Sequence, residues 1–413
     1  MNYETLKNYV RDAAALTRNT RLQPIGGSGD KVFPPTYLPE GRDPIKYANE
    51  TRVDPETGEI VACTLLDSVA SQANRAEEAI EEAYEEGRVK VPLVRMVYQA
   101  TGEELSKSLN ITSYSAPHRI YDALFRDSLT NEGTAFPYSD IGKEVQAAEP
   151  KNATAMLKYA PHVLAYGGWD STGPKGGLGS KFQRSITSEI VAYHSQAGVK
   201  VASRIDPAGI EKAAIVLEAK SGDIRWTLDE NEARKSKGKA VTYKKGNPSD
   251  VNHSNIPPTR DYEAGGITMR YAEQTTAISL AAVRRFKFPL PSGEQADFER
   301  NLAGRTAVVA LALLGSTLSA SRGFDLRSRC ALFPESALEW TVLTQPGKEP
   351  EKFQLNDEQA VQLYREAVAA LKEHDLEWNE DEILLTPSEQ LSALIAESQK
   401  KAVQEGIAEG GEA

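Results

Sequence analysis

The sequence predicts an α+β protein, an antiparallel sheet covered by helices on one face. Three observations carry this. Short apolar runs of strand length recur along the chain, amphipathic helical stretches separate them, and hairpins and long insertions break up any regular strand–helix alternation. The 413 residues are 40% hydrophobic and 26% charged, enough apolar content for a large core.

The elements are read in chain order. Residues 1–22 read as a short helix, and a Gly/Pro-rich segment follows from Leu22 to Tyr37. Ile60–Leu66 is an apolar strand. Asp67 caps a helix with the inward stripe Val69, Ala73, Ala76, Ile80 and Ala83. Val91–Tyr98 reads as a second strand. Ser115 and Pro117 open a helix with Ile120, Ala123 and Leu124 inward. A helix near Ala153–Tyr159 precedes strands at His162–Gly168 and Ser185–His194. Ile267–Phe288 holds one or two long strands, which would put Arg284 and Arg285 on opposite faces. A buried helix near 295–321 and a strand near Cys330–Phe333 follow. Pro346–Gln354 is a linker, and two amphipathic helices near 356–374 and 387–405 finish the chain. This gives a body of residues 1–345 and an acidic helical extension of residues 346–413.

The net charge of −11 conceals an uneven distribution. Residues 349–413 carry 16 acidic and 5 basic residues, so the rest of the chain is neutral. Residues 175–300 carry 20 basic and 15 acidic residues, which makes the middle of the chain basic. Lys235, Lys237, Lys239, Lys244 and Lys245 fall in a polar, Gly- and Ser-containing stretch, read as a mobile basic loop over about 231–260. Cys63 and Cys330 sit in apolar runs and read as buried reduced thiols, which fits a cytoplasmic setting. Five scattered His and two distant Cys give no metal-ligand spacing. The longest uncharged run, between Arg305 and Arg322, falls short of the roughly 20 apolar residues that a membrane span requires. The polar N-terminus does not read as a signal peptide.

The most informative stretch runs from Tyr166 to Arg184. It contains six glycines, Trp169, and a basic exit at Lys175, Lys181 and Arg184. Glycines allow close backbone approach, and bare N–H groups followed by cations favour an anion, phosphate above all. A flexible surface loop is the plainer alternative. The spacing is not that of a triphosphate P-loop, because Leu178 stands where the second glycine belongs. Ser68, Ser71, Gln72 and Arg75 share one helical face suited to phosphate or sugar contact, though a solvated face has the same pattern. Arg119, Asp122 and Arg126 form a similar face. Arg204-Ile-Asp-Pro207 and Arg284-Arg-Phe-Lys287 are further basic clusters, and Asn255-Ile-Pro-Pro258 ends the lysine-rich stretch with an apolar tip. No Ser-His-Asp order, zinc-hydrolase motif or kinase set occurs.

Taken in order, LQP, GDKVFPPTY, LLDS with SQANR, HRIYDA, GGWDS with GGLGSKFQR, RIDP, SNIPP and AEQTT with SLAAVRRFKFP resemble one family. This is the backbone subunit of the type I-G (formerly I-U) CRISPR Cascade surveillance complex, in the RAMP superfamily. The resemblance covers about Leu22 to Pro334. It implies an RRM-like (ferredoxin-like) palm with inserted finger and thumb elements and no catalysis. Copies would bind guide crRNA through its sugar–phosphate backbone, oligomerise along it as a helical filament, and present bases for pairing with target DNA. Implied partners are a five/six-type cap subunit, a large subunit and a helicase-nuclease. The implied RNA contacts are Ser68, Ser71, Gln72, Asn74, Arg75, Arg119, Gly177, Gly179, Ser180, Lys181, Arg184, Arg204 and Arg284. A thumb within 252–270 would include Asn255, Ile256, Pro257 and Met269. No cofactor or metal is implied. The superfamily also contains metal-dependent ribonucleases that use a palm aspartate, and Asp170 or Asp206 would fill that role here.

Overall fold

The computed structural model describes residues 1–409, except 39–45, 101–105, 223, 291, 293, 295 and 296; the surroundings of 177 and 404–409 also lie outside the description. Helix and strand contents are 31% and 28%, and a curled antiparallel sheet dominates, so the mixed antiparallel architecture expected from the sequence is present.

Seven strands run across this sheet: β1 (Ala15–Pro24), β2 (Asn49–Val53), β3 (Ile60–Asp67), β4 (Ile186–Tyr193), β5 (Tyr271–Ser279), β6 (Phe324–Arg327) and β7 (Cys330–Pro334). Their order is β6-β7-β1-β5-β4-β3-β2, with every neighbour antiparallel. Strands Glu339–Leu343 and Glu351–Gln354 extend the sheet beside β1. The alternation in β1 is regular: Leu16, Arg18, Thr20 and Leu22 are buried, while Asn19 is exposed. That period of two gives the sheet an inner and an open face.

The inner face is covered by α2 (Val69–Glu85) and α3 (Phe298–Leu318), with α1 (Tyr3–Asp12) packed on α3. The stripe Ala73, Ala76, Ile80 and Ala83 of α2 is buried, as its spacing predicts. Ser68 is the N-cap instead of Asp67; its hydroxyl accepts from the Ser71 N–H at 3.3 Å. By length and composition α3 would cross a membrane, but 94% of its most apolar window is enclosed by protein, as expected of a central core helix. Cys63 and Cys330 are buried and unbridged.

The acidic C-terminal region joins the same core. Helix α4 (Asp357–Leu371) lies along α3 and buries Ala360, Leu363, Tyr364, Ala367 and Leu371. Strand Ile383–Pro387 then pairs parallel with Val94–Tyr98 and antiparallel with Ser128–Leu129 in a second sheet. The acidic residues occupy the outer faces of these elements, so charge and packing divide along the helix period. The final helix, α5, spans Glu389–Glu409.

Several expectations are corrected. The helix read over residues 1–22 covers only Tyr3–Asp12, and Ala15–Pro24 is strand β1. The linker read at Pro346–Gln354 ends in a sheet strand, Glu351–Gln354. The apolar run at His162–Gly168 forms a helix, Pro161–Tyr166, because Pro161 sets its first turn and the segment is buried all round. The strand ending near Phe288 stops at Ser279, which caps a short helix at Leu280–Val283; Arg284 and Arg285 therefore do not alternate on a strand. The helix expected after Pro117 is broken into a 3-10 turn, Arg119–Tyr121, and one turn at Ala123–Arg126. Arg119 has φ +54° and Asp122 is extended, which leaves Ala123 exposed and Phe125 buried. The stretch 231–260 carries paired strands at Lys235–Ser236 and Lys239–Ala240, a 3-10 turn at Pro248–Val251, and the start of strand Ile256–Asp261.

Candidate nucleic-acid interface

The open face of the sheet is a poor surface for an anionic polymer. Tyr193 and Tyr271 stack there at 5.1 Å and 9°, but they are 7% and 1% exposed and unavailable to a ligand. Arg21 lies 3.8 Å over Tyr271 and pairs with Glu56. Arg52 pairs with Glu50 and Glu189 at 2.6 Å. With Glu273 between, acids outnumber bases on this face.

The helix face marked out in the sequence is turned inward around Asp67, which is fully buried. Its carboxylate accepts from Ser71 Oγ at 2.8 Å, Gln72 Nε2 at 2.7 Å and Arg75 Nε at 2.9 Å. Arg327 approaches at 3.4 Å. Arg75 also donates to the Leu326 carbonyl at 2.7 Å, and Gln72 Oε1 accepts from Gln274 and Ser188. Asn74 alone of this set is exposed.

Other predicted contacts are also tied to the protein. Arg119 makes a bidentate pair with buried Glu77, both contacts at 2.6 Å. Burial pushes the Glu77 carboxyl up to about 7 against the pull of Arg119. Arg284 donates to the Val10 and Ala13 carbonyls at 3.0 and 2.8 Å, closing the end of α1. Ser180 is buried and donates to the Ala148 carbonyl at 2.7 Å.

The RIDP and SNIPP motifs meet at the outer end of the paired strands of an arm inserted between β4 and β5. Strands Lys200–Arg204 and Ile256–Asp261 pair to form this arm. Arg204 donates to the Ser254 and His253 carbonyls, the Asp206 N–H donates to Asn255 Oδ1 at 2.7 Å, and Asp206 accepts from the Ala208 and Ser254 N–H groups. Ile256 and Pro257 are exposed on the arm. Met269 is buried under the sheet.

The glycine-rich stretch behaves differently. Gly168–Trp169 pairs with Lys181–Phe182 as a two-stranded ribbon. Asp170 closes the intervening loop: its N–H donates to Ser180 O at 2.9 Å and its carboxylate accepts from the Gly173 N–H at 2.8 Å. A Cβ on Gly179 would lie 2.0 Å from the Asp170 carbonyl, so glycine is required there. Gly177 lies outside the described residues. The ribbon projects Lys181 and Arg184 to solvent. Lys181 Nζ lies 4.8 Å over the Trp169 ring, and Arg184 Nε donates to the Tyr166 carbonyl at 3.2 Å.

Beside the ribbon lies a groove of about 460 Å³, lined by Trp169, Lys181, Phe182, Gln183, Arg285 and Phe286 among others. Arg285, exposed, donates to Gln183 Oε1 at 2.7 Å. Pro150 also lines the groove and accepts from the Lys287 N–H, which brings Lys151 and Lys287 to the same region. The segments 149–152, 181–185 and 282–287 carry Lys151, Lys181, Arg184, Arg284, Arg285 and Lys287 against a single acid, Glu149. The sequence marks Arg285 and Lys287 only as a basic cluster with Arg284, apart from the glycine stretch, and does not mark Lys151 at all. Nothing local links them to the glycine stretch, and the turn after Ser279 that brings them there was read as a strand. Among the described residues, no group of three or more His, Cys, Asp or Glu is arranged to hold a metal ion.

A family model described as CRISPR-associated protein GSU0053 (Cas_GSU0053) matches residues 16–197. This supports a CRISPR-associated protein. The matched residues run from β1 through α2 and the glycine-rich ribbon to the root of the arm. No curated protein matches the chain.

Proposed function

We propose that this chain is a non-catalytic RNA-binding backbone subunit of a type I-G CRISPR Cascade complex, which grips the guide along its sugar–phosphate backbone at the ribbon groove. The observation that carries this is the groove itself: Lys181 and an exposed indole on a glycine-rich ribbon inside the matched stretch, with Arg285 brought beside them from outside it. Phosphate contacts from such a groove hold a strand without reading its sequence, as a guide-bearing subunit requires.

The strand order lends support. Taking β1, α2, β4, β5, α3 and β7 in chain order gives βαββαβ, and in space the strands run β7-β1-β5-β4. This order supports reading the sheet as a ferredoxin-like, RRM-like palm, with β2–β3 added at the edge and the arm as its thumb. Copies assembled along the guide in the cytoplasm, with the other Cascade subunits, would leave its bases free for target DNA. The rival, a metal-dependent ribonuclease, gains nothing from Asp206 or Asp170. Both carboxylates are engaged by backbone N–H groups and are 5% and 4% exposed.

Sequencing the nucleic acid that co-purifies with the full-length protein tests the proposal. Guides carrying CRISPR-repeat sequence are expected. Random cellular RNA, or none, would count against it.

A further inference from the structure

We infer that Trp169 is a stacking platform for one unpaired base of the bound strand, with Lys181 and Arg285 taking the adjoining phosphates; this rests on the RNA-binding reading above. Of the four tryptophans in the chain, Trp169 alone is exposed, at 56%. The fold does not need its indole for the core, since Phe182 and Phe286 already fill the space behind the ribbon, 6.2 Å apart. The exposed indole instead leaves a large π-face open at the edge of the groove. The groove beside it is walled by apolar groups, namely Pro150, Phe182, Ala282 and Phe286, and its volume lies in the range of small-ligand sites. Its rim is cationic.

An apolar wall with a cationic rim matches a nucleotide, which offers a π-face and an anion together. A peptide would have to be acidic to suit the rim and aromatic to suit the wall. Lys181 is the cross-strand partner of Trp169 and already holds its ammonium over the ring, so cation and platform are fixed together by the ribbon register. Stacking of this kind tolerates any base, consistent with a subunit that must accept every guide.

The test uses full-length protein freed of nucleic acid and a short oligouridylate RNA, with tryptophan fluorescence and anisotropy as readouts. RNA should quench the wild-type fluorescence, and Trp169→Phe should abolish most of the quenching while keeping most of the affinity. Trp169→Ala should weaken binding about tenfold or more, with its salt slope unchanged, because stacking releases no counterions. Lys181→Ala should instead reduce that slope by about 0.7. If Trp169→Ala binds like wild type and quenching survives in Trp169→Phe, no base rests on this ring and the inference falls, although the groove reading stands. If wild type does not bind, or if Lys181→Ala and Arg285→Ala change neither affinity nor slope, the groove reading fails and the inference with it.

Discussion

Helix α2 and the glycine-rich ribbon both carry clustered polar and basic residues, yet the structure uses them in opposite ways. On α2 the polar groups converge on Asp67, a carboxylate with no solvent contact that needs every donor it receives. On the ribbon, the loop is satisfied by its own backbone and by Asp170, which leaves Lys181 and Arg184 exposed. A cation near an anionic ligand is useful only if its field is not already cancelled. The difference between these regions is therefore one of commitment, not of composition.

This comparison can be broken by measurement, beginning where the expected effect is largest. Arg119→Ala would strand Glu77 as a buried, unpaired carboxyl, so stability to denaturant should fall by about 3–5 kcal/mol. The salt dependence of RNA binding should not change. A stable Arg119→Ala protein with a reduced salt slope would return Arg119 to the binding surface.

Next is Asp67→Ala, which removes the acceptor shared by Ser71, Gln72 and Arg75. A loss of about 1–3 kcal/mol is expected, read as an earlier thermal transition. Arg75→Ala should act in the same direction and leave RNA affinity near wild type. Should Arg75→Ala weaken RNA binding as strongly as Lys181→Ala, the contrast between the two regions would disappear.

The third test is pH dependence at the open sheet face. Burial alone would raise the Asp54 carboxyl, but hydrogen bonds from His194, the Glu56 N–H and Tyr271 outweigh it and hold it at about 2. A carboxyl held below its ordinary value of about 3.9 contributes stability fully above that pH. The contribution is lost as pH falls towards 2. Asp54→Asn should therefore flatten the acid limb of the stability profile; an unchanged limb would show that this cluster does not anchor the root of the arm.

The smallest expected stability change is at the groove. Lys181→Ala and Arg285→Ala should stay within about 0.5 kcal/mol of wild-type stability, since both side chains are exposed. Each should nevertheless lower the salt slope of single-strand binding by about 0.7.

Much of this protein was legible locally. The buried stripe of α2, the strands at 60–67 and 186–193, the enclosed helix near 298–318 and the two buried thiols all follow from apolar period and length. The glycine-rich stretch stood out as well, by its six glycines and basic exit. The helix at 161–166 was not, since a short run buried on all sides has no period to separate helix from strand. The partners of the basic residues were not legible either. Arg75 finds Leu326, Arg284 finds Val10, and Arg285 comes to Trp169 only because the chain returns across a sheet. The sequence by itself determined which segments carry apolar faces and where the charges lie along the chain, because those depend on spacing of a few residues. Only the tertiary structure decided which charges are neutralised inside the fold and which remain to meet a ligand. That choice depends on contacts between residues hundreds of positions apart, and on burial, which sets what an unpaired charge costs.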